Sequence, residues 1–188
     1  MALRDLCEIA GLRLVEPKKF GDHRGFFSET YNRRRLAEAG FAAEFVQDNH
    51  SFSGAEGVVR GLHFQSPPFA QGKLVRVIRG AILDVAVDIR RGSPTFGDHA
   101  AVELSAVNWR QLLVPAGFAH GFVTLEPDTE VLYKVTAYYA PEHDHGILWS
   151  DPALGISWPV SPEAAVVSDK DRLQPRLADI ASPFRLDA

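Results

Sequence analysis

The sequence predicts an all-β protein, an antiparallel sandwich or barrel with a few short helices. Between residues 73 and 90 (KLVRVIRGAILDVAVDIR), the apolar residues from Leu83 to Ile89 alternate with polar or small ones. This period-2 pattern is typical of a β-strand. Arg79-Gly80 interrupts the run and predicts a turn into a second strand. Many short runs separated by such turns favour antiparallel sandwiches and barrels.

The remaining elements follow the same pattern. Two further pairs of strands are predicted around turns, namely 100–106 with 111–114 and 120–125 with 130–138. The segment 31–40 (YNRRRLAEAG) predicts a helix that ends at Gly40. The polar tail 161–188 predicts short helix and loop packed over the barrel. No linker or repeat divides the chain, so residues 1–188 are expected to form a single domain.

Charge and composition exclude several classes of protein. The 188 residues carry 20 Lys plus Arg and 24 Asp plus Glu, a formal charge of −4, which argues against a binder of nucleic acid polymers. No apolar run approaches the roughly 18 residues of a membrane span. The charged start of the chain lacks the apolar region of a signal peptide. Cys7 is the only cysteine, which excludes an intrachain disulfide framework. A cytoplasmic protein is therefore expected.

A metal site is the first chemical hypothesis that the histidines suggest. The segment 115–120 (PAGFAH) resembles the second metal motif of the cupin superfamily, which also needs an earlier H-x-H pair and a carboxylate. The matching earlier segment contains His63, but Gln65 stands where the second histidine belongs. His143 and His145 have the right spacing, yet Pro141 and Asp144 predict a turn there. The sequence therefore predicts no bound metal.

Proton transfer is the second hypothesis. His63 lies between Leu62 and Phe64 in a predicted strand, so its side chain points to the opposite face from theirs. A histidine in the barrel lumen is a candidate general base because its pKa is near neutral. Tyr133 in another strand is a candidate proton donor. From these residues alone, a hydrogen-bonded place in the core is the more common role for both side chains.

Cations and aromatic residues indicate an anionic, ring-bearing ligand. Arg24, Arg60 and Lys73 each lie beside a glycine, which allows close approach of an anion such as a phosphate. Phe27 and Tyr139 are candidates for stacking on a flat ring, although core or rim packing is an equal alternative.

Taken together, these clusters resemble one family, the dTDP-4-dehydrorhamnose 3,5-epimerases, the RmlC-like branch of the cupins. The matching segments occur in the same order along most of the chain. They are DHRGFFSE (22–29), FVQDNHS (45–51), GVVRGLHFQ (57–65), QGKLVRVIRGAILDVAVDIRRGSPTFG (71–97), LLVPAGFAHGFVTL (112–125), VLYKVTAYYAPEHDHGILWSDP (131–152) and SDKD (168–171).

The resemblance implies a cupin-type jelly-roll barrel and an isomerase that uses no cofactor. Its substrate would be a dTDP-4-keto-6-deoxy sugar. A proton alpha to the C4 ketone would be removed, and the carbon would be reprotonated from the opposite face, at both C5 and C3. The resemblance also implies a homodimer whose N-terminal strands cross to the partner, and Leu12, Leu14 and Val15 are candidates for such a strand.

The resemblance also assigns roles by position. The base, its carboxylate partner, the acid and the enolate-stabilising cation would be His63, Asp171, Tyr133 and Lys73. Contacts to the diphosphate would come from Arg24, Arg60 and Lys170. The remaining substrate-binding residues would be Glu29, Gln47 and Asn49 at the nucleotide sugar, Phe27 and Tyr139 at the thymine, and His120 and Asp144.

The chain departs from the family pattern at two positions. Phe64 replaces a tyrosine found in many relatives, and Asp144 stands where some relatives have glutamate.

Three alternative functions are also compatible with the sequence. The first alternative is an epimerase that acts on only C3 or only C5. The second is a metal-dependent cupin oxygenase, against which Gln65 argues. The third is a non-catalytic sugar-nucleotide binder, which would not need the pair His63 and Asp171.

Overall fold

The computed structural model describes residues 2–5, 9 and 11–186, and its regular structure is predominantly β. The strands are β1 (Ala2–Asp5), β2 (Arg13–Glu16), β3 (Lys19–Asp22), β4 (Gly25–Ser28), β5 (Gln47–Ser53), β6 (Val58–Gln65), β7 (Lys73–Arg79), β8 (Ala81–Asp88), β9 (His99–Ser105), β10 (Gln111–Val114), β11 (Phe118–Thr124), β12 (Thr129–Val135), β13 (Asp144–Gly146) and β14 (Val166–Val167). The helices are α1 (Arg33–Glu38) and α2 (Asp169–Arg172), with single 3₁₀ turns at Pro141–His143, Pro152–Leu154 and Leu177–Asp179.

Two antiparallel sheets pack face to face as a jelly-roll sandwich. The first sheet has the order β1-β2-β10-β7-β12-β5, and the second has the order β13-β6-β11-β8-β9, with β14 added in parallel to β6. Strands β3 and β4 form a separate hairpin. The predicted all-β fold class is therefore confirmed.

The pairing predicted around the turns is wrong, although the strands themselves are present. β7 and β8 belong to different sheets, as do β9 and β10, and β11 and β12. Each turn carries the chain from one sheet to the other, so that consecutive strands face each other across the core. Strand pairs instead form between distant segments, such as β12 with β7 and β11 with β6.

Both faces of each sheet are covered to a large extent. The interior holds apolar residues of both sheets, including Val75, Leu112, Ile82 and Phe122. The outer face of the second sheet is covered by the segments that follow β13, through residues such as Trp149, which packs against the same cluster as Phe64. Helix α1 covers part of the first sheet through Leu36. Polar residues at inward positions are therefore confined between the sheets.

Helix α1 lies within the predicted segment and is shorter than predicted. The Asn32 side chain accepts a hydrogen bond from the Arg35 amide and caps its first turn. Gly40 follows it with a φ of +89°, a conformation that glycine adopts easily. Within the described part of the chain, no helix is long and apolar enough to cross a membrane.

Candidate active site

A cavity of about 510 Å³ opens between the two sheets. Seven of the sequence-predicted residues line it, and they are Arg60, His63, Lys73, His120, Tyr133, Lys170 and Asp171. An adjoining cavity of about 170 Å³ shares His63, Lys73 and Tyr133 and adds Gln47, Asn49, Tyr139 and Asp144. The fold thus brings together eleven positions that are scattered along the sequence.

Strand alternation directs His63 into this cavity. Leu62 and Phe64 point outward into the apolar cluster under the tail, as the sequence predicts. The preceding Gly61 has a φ of +134°, and a Cβ atom there would lie 2.5 Å from the Cα atom of Gly121. Glycine is required because β6 and β11 approach closely at this point. The register of the two strands then places His63 opposite His120.

His63 and Asp171 form a hydrogen-bonded pair. The Nε2 atom of His63 lies 2.5 Å from Oδ1 of Asp171, and the Gly61 amide donates to Oδ2 at 3.2 Å. Ser168 caps helix α2 by accepting a hydrogen bond from the Asp171 amide, which fixes the carboxylate in place. Burial alone would raise the pKa of Asp171, but the hydrogen bonds from His63 and Gly61 hold it below its usual value.

This pairing determines which nitrogen of His63 is available for chemistry. An ionised carboxylate only accepts hydrogen bonds, so Nε2 carries the proton that points to Asp171. The lone pair of the neutral ring then lies on Nδ1. The side chain of His63 is 30% exposed, whereas the side chain of Asp171 is 6% exposed. His63 is thus an oriented base that a ligand in the cavity can reach.

Lys73 is a buried cation beside this base. Its Nζ atom donates to the backbone oxygen of His63 at 3.3 Å. Burial lowers the pKa of Lys73 to about 8, while the negative charges of Asp84 and Asp144 oppose that shift. The side chain therefore remains an ammonium at neutral pH and can stabilise negative charge that develops on a ligand.

Sequence reasoning missed Asp84, which lies on β8 and is fully buried. Its Oδ1 atom lies 2.8 Å from Nε2 of His120. Burial lowers the pKa of His120 more than Asp84 raises it, so the ring is neutral at neutral pH. The alternation of β8 predicts that one face of the strand is buried and that the polar face, which includes Asp84, is exposed. In the fold both faces are covered, so Asp84 is buried as well.

Tyr133 approaches the cavity from the other sheet. It lies on β12 of the first sheet, whereas His63 lies on β6 of the second sheet. Burial raises the pKa of Tyr133, so its phenol holds a proton at neutral pH. A planar ligand between the sheets would meet a base on one face and a proton donor on the other.

Polar and aromatic residues form the rim. Asp144 accepts hydrogen bonds from Lys170 at 2.6 Å and from the Tyr139 hydroxyl at 3.1 Å. Gln47 donates to Asn49 at 2.8 Å and accepts from the Tyr139 amide at 3.1 Å. These contacts hold the Tyr139 ring, which is 58% exposed, beside the adjoining cavity.

Three predicted binding residues lie elsewhere in this chain. Arg24, Phe27 and Glu29 line neither cavity. Arg24 is exposed and pairs with Asp22, and Phe27 is 71% exposed on the hairpin of β3 and β4. Within one chain, the described residues do not bring this group to the cavity.

Gln65 uses its side chain to bind backbone groups at the rim of the cavity. Its amide nitrogen donates to the backbone oxygens of Phe69 and Tyr138, and its oxygen accepts from the Ala140 amide. All three bonds join loops at the rim. The position that would hold a second histidine therefore fixes the backbone around Tyr139.

An oriented base and a proton donor on opposite walls, with a buried cation beside the base, are suited to moving a proton from one face of a ligand to the other. On this jelly-roll scaffold they define an isomerase of the cupin superfamily. Comparison with known proteins identifies the family of isomerases to which the chain belongs. Residues 6–179 match the family model for dTDP-4-dehydrorhamnose 3,5-epimerase, and the chain belongs to that family.

Individual relatives agree with this assignment. The dTDP-4-dehydrorhamnose 3,5-epimerase of Sinorhizobium fredii is 54% identical over 181 residues, which cover 94% of this chain and 90% of the relative. A crystal structure of the Legionella pneumophila dTDP-6-deoxy-D-glucose-3,5-epimerase in complex with dTDP-4-keto-L-rhamnose is 47% identical, with a TM-score of 0.91 and coverage of 96% of both chains. The Bacillus anthracis enzyme, crystallised with TDP and PPi bound, is 52% identical, with a TM-score of 0.88 and coverage of 93% and 99%.

Proposed function

We propose that this chain epimerises C3 and C5 of dTDP-4-dehydro-6-deoxy-D-glucose to give dTDP-4-dehydro-L-rhamnose. The observation that carries the proposal is the position of His63 and Tyr133 on opposite sheets, facing one cavity. Inversion of a carbon requires removal of a proton from one face and its return to the other. A single base without a donor across the cavity would return the proton to the same face.

Each inversion follows from the geometry in two proton transfers. Nδ1 of His63 takes the proton from the carbon alpha to the C4 ketone, and the electrons of that C–H bond form the C=C bond of an enolate with negative charge on the C4 oxygen. The Lys73 ammonium stabilises this charge. The Tyr133 hydroxyl then gives its proton to the opposite face, and solvent exchange restores His63 and Tyr133. No electrons are gained or lost overall, so the proposed reaction uses no redox cofactor.

The rim provides the chemistry to hold the nucleotide. Arg60 and Lys170 line the larger cavity and supply positive charge for the diphosphate. Tyr139 offers an exposed ring on which a thymine can stack. Gln47 and Asn49 line the adjoining cavity and offer hydrogen bonds to the nucleotide sugar. His120 binds the sugar within the larger cavity, and Asp144 holds Lys170 and Tyr139 in place.

Proton NMR in deuterium oxide tests the proposal. The protein is incubated with dTDP-4-dehydro-6-deoxy-D-glucose without added metal, and the signals of H3 and H5 are followed. Deuterium at both carbons with an inverted product is the expected result. Deuterium at one carbon would indicate the monofunctional alternative. Absence of exchange at both carbons, in folded protein that binds the nucleotide sugar, would indicate a non-catalytic binder.

Replacement of Tyr133 by phenylalanine is expected to separate exchange from inversion. His63 can still form the enolate, so deuterium should continue to enter the substrate. Loss of the proton donor should slow formation of the inverted product by about 10²- to 10⁴-fold, the usual contribution of general acid catalysis. Both rates come from the same NMR time course. If inversion proceeds at the wild-type rate, Tyr133 is only a structural residue.

We also propose that the protein is a homodimer in which each hairpin of β3 and β4 reaches the cavity of the partner. Of the residues expected to form the crossing strand, Leu14 and Val15 lie on β2, which pairs with β10 of the same chain, and Leu12 is buried in that chain's core. The hairpin exposes Phe20, Phe26 and Phe27 with 55%, 55% and 71% of their surface accessible. Exposed apolar surface of this kind is typical of an interaction site. The exchange would bring Arg24 and Phe27 to the nucleotide.

Subunit complementation is expected to reveal this exchange. His63→Ala and Arg24→Ala each impair a homodimer. A mixed dimer combines an intact His63 with an intact Arg24 in one of its two cavities only if Arg24 crosses between subunits. Co-refolded mixtures should therefore regain up to about one quarter of wild-type activity, because half of the dimers are mixed and each contains one intact site. No recovery in verified mixed dimers would place Arg24 in its own subunit's site.

A further inference from the structure

The carboxylate of Asp84 has a role that its hydrogen bonds do not account for. The residue is fully buried on β8, and only Oδ1 has a hydrogen-bond partner, Nε2 of His120. Oδ2 is buried and has none within the described part of the chain. A buried carboxylate that is only partly satisfied is costly for a fold. A neutral side chain of the same size would fill the space at a lower cost.

The other charged groups around the cavity show which cation Asp84 balances. His120 on β11 faces it directly, Lys73 approaches from β7, and His63 lies opposite His120 on β6. His120 is neutral at neutral pH because burial lowers its pKa, so it does not cancel the charge of Asp84. His63 is already paired with Asp171. Of these groups, Lys73 is the one that is cationic at neutral pH and has no hydrogen bond to a carboxylate within the described part of the chain.

The second carboxylate that acts on Lys73 is engaged elsewhere. Asp144 raises the pKa of Lys73 less than Asp84 does, and its Oδ2 atom accepts hydrogen bonds from both Lys170 and Tyr139. Arg60 and Tyr133 also line the cavity, but neither supplies negative charge at neutral pH. The charge of Asp84 is therefore the main one that opposes deprotonation of Lys73.

We propose that Asp84 is a positioning residue of the reaction, which orients His120 through Oδ1 and keeps Lys73 an ammonium through its fixed negative charge. The first effect sets the tautomer, because a proton on Nε2 of His120 leaves Nδ1 as an acceptor for a sugar hydroxyl. The second effect keeps the Lys73 amine protonated before negative charge develops on the enolate oxygen. The inference rests on the proposed function of Lys73, while the charge state of Lys73 itself can be measured without turnover.

Asp84→Asn is the variant that tests the charge. It keeps the shape and the acceptor for His120 but removes the negative charge. The Lys73 amine should then lose its proton at lower pH, by about one unit or more, the usual effect of one nearby opposite charge. Asp98→Asn is the matched control, since it removes one aspartate charge from an exposed position outside both cavities.

NMR of protein labelled with ¹³C at the lysine Cε provides the readout. The chain has five lysines, so the Lys73 signal can be assigned by its absence from a Lys73→Arg variant. Its midpoint should lie near pH 8 in the wild type, as its pKa requires, fall in Asp84→Asn and stay unchanged in Asp98→Asn. An unchanged midpoint in Asp84→Asn would overturn the proposal. This titration is independent of whether the protein epimerises the proposed substrate.

Kinetics supply a second readout that a purely structural role would not move. In Asp84→Asn, the loss of kcat on the alkaline side should shift to lower pH by the same amount as the Lys73 midpoint. In a Lys73→Ala background, the same substitution should leave the pH profile unchanged. If Asp84→Asn does not fold, the ¹³C carboxyl signal of Asp84 in the wild type decides. An ionised carboxylate near neutral pH supports the proposal, and a protonated one refutes it.

Discussion

Replacement of His63 by alanine is expected to suppress deuterium exchange strongly at both C3 and C5. The dyad with Asp171 makes Nδ1 of His63 the oriented base at the cavity wall. Removal of a general base costs about 10²- to 10⁴-fold in rate. Because one residue serves both carbons, exchange at C3 and C5 should fall together. The proton NMR assay in deuterium oxide measures both positions at once.

A matched histidine variant controls for nonspecific effects. His50 lies on β5, is half exposed and pairs with Glu130, away from both cavities. His50→Ala should therefore exchange both protons at the wild-type rate. Exchange near the wild-type rate at either carbon in folded His63→Ala protein would mean that another group acts as the base there.

Replacement of Lys73 by alanine is expected to reduce kcat by roughly 10²- to 10³-fold, or about 2.7–4 kcal/mol, which is typical for loss of one donor to a developing oxyanion. KM should change little, because the enolate charge appears only after the substrate has bound. Steady-state kinetics with the nucleotide sugar separate the two constants. An effect confined to KM would identify Lys73 as a binding residue.

The same cation predicts the pH dependence of the wild type. Burial lowers the pKa of Lys73 to about 8, so the side chain is an ammonium below that pH and a neutral amine above it. The activity of the wild type should therefore decline as the pH rises through about 8. Lys134→Ala is the control, because Lys134 pairs with Asp48 and does not line either active-site cavity. That variant should keep the wild-type profile.

Local sequence patterns predict the strands of this fold but not their partners. Alternation identifies β8, and Arg79-Gly80 marks the turn before it. Pairing depends on how the sheets close over a shared core, and no local pattern contains that information. The inward direction of His63 was predictable because its two neighbours are large and apolar. Its partner Asp171 lies 108 residues further along the chain. The pairing of the two residues was predicted only from the resemblance to a family.

The buried acids show a different limit. Asp84 and Asp88 occupy alternating positions of β8, a pattern typical of a solvated face. In the fold both are fully buried, one beside His120 and the other bound by Arg90, Ser93 and Thr95. Burial of both faces results from coverage by distant parts of the chain. The places of Arg24 and Phe27 were unpredictable for a related reason, since they lie on a hairpin away from the cavity of their own chain.

The distance along the chain between His63 and Asp171 affects how the protein acquires its activity. Strands that pair across long stretches of sequence form slowly, because loops must close before the contacts can stabilise them. During synthesis, β6 emerges 108 residues before the carboxylate that orients its histidine. Helix α2, which carries that carboxylate, has only four residues and depends on its contacts with β6. The chain can thus form much of its sandwich before it is active. The catalytic pair of His63 and Asp171 is complete only when α2, one of the last segments to be synthesised, has packed against β6.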